Sequence, residues 1–351
     1  MKKIRRLLSL GLATSLVFAV IALSACAAGP VVRVFNWGEY IDEDIFKEFK
    51  KQTGIKVKYS TFDTNEAMYA KIAAGGTNYD IVIPSDYMVG RLIEEKMLEK
   101  IDFANVPNAS LISDEYRNPA YDPTGEFSAA YMWGTVGLIY DSTVITEKPT
   151  SWGALFDPAN RDDGILMVDN ERDALGIALK YLGYSLNTES ESELREALAV
   201  LTAQKPIVQQ YTMDQVYDLM EGGEAAICAY YAGDFITMYE HNPKLAFSLP
   251  DEGANVFSDA MCILKGAENK ANAEAFINFM CSTEIAERNQ AVTGYVSANG
   301  EAAAALKAEL DGDFLEVLFP SEEVLAICEP FYNLPKATRD LYVALWNQLK
   351  G

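Results

Sequence analysis

The chain has 351 residues and a mass of 38.7 kDa, a length that suits about two domains. Half of the residues are hydrophobic, so a sizeable core can form without metals or disulfides. The 51 acidic residues outweigh 29 basic ones for a formal charge of −22, which repels phosphate backbones and argues against nucleic acid as a partner. The single histidine, His241, argues against multi-histidine zinc sites and leaves any serine–histidine–aspartate site dependent on one residue.

Lys2, Lys3, Arg5 and Arg6 open the chain with positive charge. Residues 7–25 carry no charge and are rich in Leu, Ala and Val, and Leu23-Ser24-Ala25-Cys26 closes the run. Small residues ahead of a cysteine resemble the end of a bacterial lipoprotein signal. That resemblance implies a signal peptide over residues 1–25, cleavage before Cys26 and a lipid on Cys26. An uncleaved anchor is the alternative, because roughly 20 apolar residues can span a bilayer. Both readings place the rest of the chain outside the cytoplasm. Without the leader the chain has four fewer positive charges than the precursor's −22, hence −26. The remaining cysteines are Cys228, Cys262, Cys281 and Cys328, with no metal-knuckle or CxxC spacing among them. Three complete pairings are open, and so are buried free thiols, since Cys228 and Cys262 sit inside apolar runs.

Residues 31–37 form a β-rich run, and 42–52 follow with Ile45, Phe46 and Phe49 at helical spacing before Gly54. Residues 55–61 alternate apolar and polar as a strand does. Asp63 and Glu66 are placed to cap a helix carrying Met68 and Ile72. Residues 79–85 are an apolar run interrupted by Pro84, as for a buried parallel strand, and 89–97 are helical again. The first hundred residues thus alternate strand and helix, the pattern of an α/β layer with a parallel sheet. Further strands are expected at 137–140, 164–168, 225–231 and 260–264. Further helices are expected at 172–182, 192–203, 273–280 and 337–349. No long linker separates the two expected domains.

Ligands of open α/β sheets bind beyond the carboxyl ends of the strands. Here those ends read Asn36-Trp37-Gly38-Glu39-Tyr40, Pro84-Ser85-Asp86-Tyr87, Asp169-Asn170-Glu171-Arg172-Asp173 and Tyr230-Tyr231-Ala232-Gly233-Asp234. Phe257-Ser258-Asp259 precedes another strand, and a turn holds Gly294-Tyr295. Aromatic and acidic side chains recur together. An organic polycation needs both: carboxylates for its ammonium groups, since an unpaired charge leaving water is costly, and flat walls for its methylenes, with about 0.5–2 kcal/mol of cation–π attraction per ring. A phosphate or amino-acid site would call for an arginine or a glycine-rich helix start, and Arg172 is the one basic residue at these ends.

The runs Asn36-Trp37-Gly38-Glu39-Tyr40, Thr53-Gly54-Ile55-Lys56-Val57, Tyr79-Asp80-Ile81-Val82-Ile83-Pro84-Ser85, Tyr131-Met132-Trp133-Gly134-Thr135 and Gly294-Tyr295 closely resemble the spermidine/putrescine-binding proteins of bacterial polyamine ABC importers. So do Thr150-Ser151-Trp152 and Asn278-Phe279. The ordered set covers nearly the whole mature chain. The resemblance implies an α/β, two-lobed periplasmic-binding-protein-like (type II) fold with a hinge crossed twice and the ligand in the cleft between lobes. It implies one lobe of residues 30–135 and 259–303 and another of 138–255 and 307–351. Carried onto this sequence, the aromatic box falls on Trp37, Tyr40, Tyr87, Tyr231, Phe257 and Tyr295, the carboxylates on Asp173 and Asp259, and a polar contact on Ser85. Gly38 and Asn170 are secondary candidates. This chain departs from some members by having Tyr231 and Phe257 where they have Trp, and Asn170 where they have an acid. A late polar contact belongs near residues 331–333.

The same resemblance implies capture rather than catalysis, without cofactor or metal. The partners would be a polyamine, the permease subunits and ATPase of an ABC importer, and a membrane reached through Cys26, with the protein itself a monomer. Glu39 reads as a solvated or lobe-bridging residue, Trp133 and Trp152 as packing, and His241 as part of a surface turn. Two rivals remain: a binder of ferric ion, a sugar or another organic cation on the same scaffold, and an extracytoplasmic carbohydrate hydrolase using paired carboxylates.

Overall fold

A computed structural model of the chain describes residues 29–75, 78–157 and 164–351. The expected signal peptide and Cys26 lie outside the described residues. The first half begins with β1 (Val31–Trp37), α1 (Ile45–Thr53), β2 (Lys56–Phe62), α2 (Asn65–Ala73), β3 (Ile81–Val82), α3 (Asp86–Glu94) and β4 (Leu98–Glu99). Helix α1 buries Ile45 and Phe49 and stops at Gly54, whose φ of 77° lets its N–H reach the Lys50 carbonyl; only glycine takes that conformation without strain. Helix α2 is capped by Thr64, whose side chain accepts from the Ala67 N–H, and not by Asp63 as the sequence suggested. Thr64 is the last extended residue before the helix, the position from which a short hydroxyl reaches the free N–H groups. Strand β3 is shorter than expected. Pro84 has no N–H to donate, and beyond it the chain makes a single bridge between Ser85 and Asp259.

The long strand β5 (Ser128–Asp141) comes next, then β6 (Ile165–Val168), α4 (Glu171–Tyr181), α5 (Glu191–Gln204), β7 (Val208–Thr212), α6 (Val216–Glu221), β8 (Ile227–Tyr231), α7 (Ala232–His241) and β9 (Leu245–Ser248). The chain closes with β10 (Val256–Leu264), α8 (Lys270–Met280), α9 (Thr283–Thr293), β11 (Val296–Ser297), α10 (Gly300–Glu309), α11 (Gly312–Leu318), α12 (Glu322–Leu325) and α13 (Lys336–Lys350). The strand order is β2-β1-β3-β10-β5-β8-β6-β7, with β4 on β10 and with β9 and β11 on β5. Pairing is parallel among β1, β2 and β3 and among β6, β7 and β8. It is antiparallel wherever β5 or β10 takes part. The parallel sheet expected from the first hundred residues is therefore mixed at its centre.

Strand β5 serves two neighbourhoods. Its first part, to Thr135, pairs with β10 and β11, and from Val136 onward it pairs with β8 and β9. The chain passes between the two halves along β5, again between β9, which pairs with the later part of β5, and β10, which pairs with its first part, and again between α10, which packs on α9, and α11, which packs on α7. The resemblance implied two such passages.

Trp152 is buried and donates its indole N–H to the Gly253 carbonyl at 2.8 Å, a packing role as expected. His241 ends helix α7, exposed, rather than lying in a turn. Cys228, Cys262, Cys281 and Cys328 are all unpaired; the first three are buried. No helix among the described residues is long and apolar enough to cross a membrane.

Candidate ligand-binding cavity

Strand and helix ends converge on a cavity whose free space, its solvent-open mouth included, is about 790 Å³. Trp37 ends β1, Ser85 is the N-cap of α3, which carries Tyr87, and Asn170 is the N-cap of α4, which carries Asp173. Tyr231 ends β8 and starts α7. Phe257 and Asp259 lie two apart on β10, so both face the same way. Asp259 is thus a strand residue, at a bulge between Asp259 and Ala260, and not part of a turn before the strand. Tyr295 follows Gly294, whose φ of 76° ends α9. All eleven ligand-contact candidates line this one space: Trp37, Gly38, Tyr40, Ser85, Tyr87, Asn170, Asp173, Tyr231, Phe257, Asp259 and Tyr295.

The rings divide into two groups. Tyr40 meets Tyr295 edge-on at 4.9 Å, Tyr295 meets Phe257 at 6.1 Å, and Phe257 meets Tyr231 at 5.5 Å, so four of the six form a continuous wall. Trp37 packs instead on Phe62 at 4.6 Å, and Tyr87 on Phe331 at 5.8 Å. The indole N–H of Trp37 is buried without a hydrogen-bond partner.

Carboxylates sit among these rings, several of them clasped by a tyrosine hydroxyl. The Tyr40 hydroxyl donates to Oδ2 of Asp259 at 2.7 Å, while Oδ1 of Asp259 is buried and unpartnered. Burial pushes this carboxyl up to about 6, against the pull of the Ser85 and Tyr40 hydroxyls. Asp173 occupies the first turn of α4. Its N–H donates to Oδ1 of Asn170 at 2.8 Å, and its Oδ2 accepts from Asn170 at 2.6 Å and from the Tyr231 hydroxyl at 2.9 Å. Burial raises its pKa too, while Asn170, Tyr231 and Arg172 lower it.

Other residues of the cavity escaped the sequence reading. The Tyr217 hydroxyl donates to Asp234 at 2.8 Å, and the Tyr87 hydroxyl donates to Glu66 at 2.8 Å. Burial drives both carboxyls up to about 7. Asp234 was visible at the end of a strand-end run, but nothing in the sequence pairs it with Tyr217. Glu39, Asp63 and Asp214 stand exposed on the lining. Glu39 therefore borders the cavity, at a positive φ of 46°. Near residues 331–333, Phe331 lines the cavity, whereas Asn333 turns away to Glu94 and Arg339. Among the described residues the lining holds seven carboxylates, nine aromatic rings and no lysine, arginine or histidine. Such a surface suits a cation with apolar segments and disfavours any anion.

Arg172 stands just behind this wall. Its guanidinium lies 4.4 Å from the Phe331 ring and 5.1 Å from the Tyr87 ring. It donates to the Tyr332 carbonyl and to Asn187.

A mixed sheet shared by two halves, with a ring- and acid-lined cavity where strand and helix ends meet, is an arrangement suited to binding a small solute. Residues 44–314 match the family of bacterial extracellular solute-binding proteins, and the chain belongs to that family. The spermidine/putrescine-binding periplasmic protein of Salmonella typhimurium is 31% identical over 87% of this chain and 91% of its own. A candidate spermidine/putrescine ABC transporter protein of Listeria monocytogenes superposes with a TM-score of 0.85 at 35% identity, over 91% of this chain and 98% of that one. The TpPotD lipoprotein of Treponema pallidum superposes with a TM-score of 0.79 at 28% identity, over 91% and 99%.

Proposed function

We propose that the protein captures polyamines outside the cytoplasm and delivers them to the permease and ATPase of an ABC importer. The observation that carries this reading is the composition of the cavity wall: among the described residues, seven carboxylates and nine rings without one basic side chain. Asp259 and Asp173 take ammonium groups, and Tyr40, Tyr295, Phe257 and Tyr231 hold the methylenes between them. Ser85, Asn170 and Gly38 shape the polar floor, while Trp37 and Tyr87 close the opposite side. The names of the Salmonella and Listeria relatives support the ligand class.

Residues 30–135 with 259–303 form one lobe in this reading, and residues 138–255 with 307–351 form the other. They close about β5 and β10 and trap the ligand. A lipid on Cys26 holds the monomer at the membrane. The name of the Treponema relative, a lipoprotein, is consistent with that anchor. The test is a thermal-shift panel of polyamines, ferric ion, sugars and other organic cations. Stabilisation by spermidine or putrescine alone is the expected result. A shift with ferric ion or a sugar, and none with an amine, overturns the polyamine reading. Radiolabelled fatty acid that fails to mark Cys26 overturns the anchor.

A further inference from the structure

We infer that the amino end of the first two strands is a membrane-contact face: Lys50, Lys51, Lys56 and Lys58 rest on anionic phospholipid headgroups beside the lipid on Cys26, and the ligand cavity is held at the far end of the same strands. The inference rests on the reading that Cys26 is lipidated and adds which face of the protein meets the bilayer.

Residues 49–62 hold four lysines and no acid, in a chain whose 51 acidic residues outnumber 29 basic ones. Lys50 and Lys51 occupy the last turn of α1, and Gly54 then turns the chain into β2. Lys56 and Lys58 lie two apart on β2, so both point to the same side of the sheet. All four are exposed. Among the described residues none of the four forms an ion pair, because the charged groups around them are already matched: Lys47 with Asp44, Arg288 with Glu48, and Arg33 with Glu268. Strand β2 is the outermost strand of the sheet, so no further strand covers its edge.

The chain from Cys26 arrives at this corner. The Lys56 N–H donates to the Pro30 carbonyl at 2.8 Å, Val31 lies opposite Lys56, and Arg33 lies opposite Lys58. Four residue steps separate Cys26 from Pro30, and they span at most about 14 Å. A lipidated cysteine at headgroup level therefore keeps the start of β1, with Lys56 beside it, within about two Debye lengths of the phosphates at physiological salt.

The two ends of these strands carry opposite charge. Trp37 ends β1 and Asp63 follows β2, and both line the cavity, whose mouth is bordered by Glu39, Asp63 and Asp214. Seven strand residues put about 20 Å between the ends. An anionic surface attracts the lysine end and repels the acid end, so it turns the mouth toward solution. Lysines on an edge strand also hinder strand pairing, and lysines in a last helical turn suit the helix dipole. Neither of those roles responds to the lipid composition of a membrane, which makes composition the discriminating variable.

The test is acetylation footprinting of the lipidated chain on vesicles, read lysine by lysine by mass spectrometry. One set of vesicles is phosphatidylcholine alone, and the other contains about one-third phosphatidylglycerol. Lys50, Lys51, Lys56 and Lys58 should react at least about threefold more slowly on the anionic vesicles and recover at about 0.5 M salt. Lys148 and Lys244, exposed in the other half of the molecule, should change by less than about 1.5-fold. Equal rates on the two kinds of vesicle overturn the inference, and so does a slowing shared by every lysine. A chain that leaves the vesicle fraction altogether overturns the anchor and the inference with it, a failure distinct from unprotected lysines on vesicle-bound protein.

Discussion

Asp259 concentrates the chemistry of the cavity in one side chain. It is buried, its Oδ2 is fixed by Tyr40, and its Oδ1 is free to take a ligand. Replacing it by Asn keeps the shape and removes the charge. Calorimetry should show polyamine affinity weakened by about 3 kcal/mol, the scale of leaving a buried ammonium unpaired; unchanged affinity would reject the role. The raised carboxyls also fix a pH dependence. Burial holds Asp259 up at about 6, and Asp234 and Glu66 up at about 7, above the ordinary range of about 4. Groups raised in this way favour the unliganded fold below about pH 4, and that contribution is lost as the pH climbs through about 6 to 7. The ligand needs the ionised forms, so spermidine should raise the melting temperature more at about pH 8 than at about pH 5. Equal shifts at both values would contradict the assignment of these carboxyls to the ligand. Most of the ring and acid positions were legible because they sit at strand or helix ends that the family resemblance also marks; Asp259, inside β10, came from the resemblance. Asp214 was not legible, because it follows β7, a half-polar run of Val-Gln-Gln-Tyr-Thr that lacks an apolar core signature.

At the scale of elements, β5 and α7 show where glycine decides the architecture. The sequence suggested only a short strand at residues 137–140, because Gly134 and Gly137 break the apolar pattern of what is one fourteen-residue strand. The reason lies across the sheet. A Cβ at Gly134 would lie 3.1 Å from the Phe257 ring, and one at Gly137 would lie 2.3 Å from Phe247. These glycines make room for rings, a tertiary demand that local propensity cannot reveal. Gly233 does the same for Tyr295. Gly233→Ala should therefore push the Tyr295 ring into the cavity and destabilise the fold by about 1–3 kcal/mol. Thermal melts and spermidine titration should both register the change, and a variant with wild-type melting temperature and affinity would show that the contact does not constrain the ring. The helices read from the sequence followed period and capping residues, with the cap at Thr64 one position from the expected Asp63. Helices α6, α7, α9, α10, α11 and α12 were not anticipated.

Across the whole molecule, the excess of 51 acidic over 29 basic residues gathers cations toward a mouth bordered by Glu39, Asp63 and Asp214. Exposed charges of this kind act on encounter rate more than on the final complex. Stopped-flow association of spermidine should slow as salt rises from about 0.05 to about 0.5 M, since screening shortens the reach of these charges. A salt-independent rate would mean that the mouth does not steer. The two-lobed fold was readable chiefly by resemblance, because no linker marks it and one sheet runs through both halves. The claim on which everything turns is that this ring-lined, acid-ended space holds a flexible polyamine more strongly than water does. Titrating spermidine into the amine-free mature protein in a calorimeter tests it most directly. Saturable binding of one ligand per chain, with a Kd of about 1 μM or tighter, is expected. No measurable heat or displacement at millimolar spermidine would contradict it.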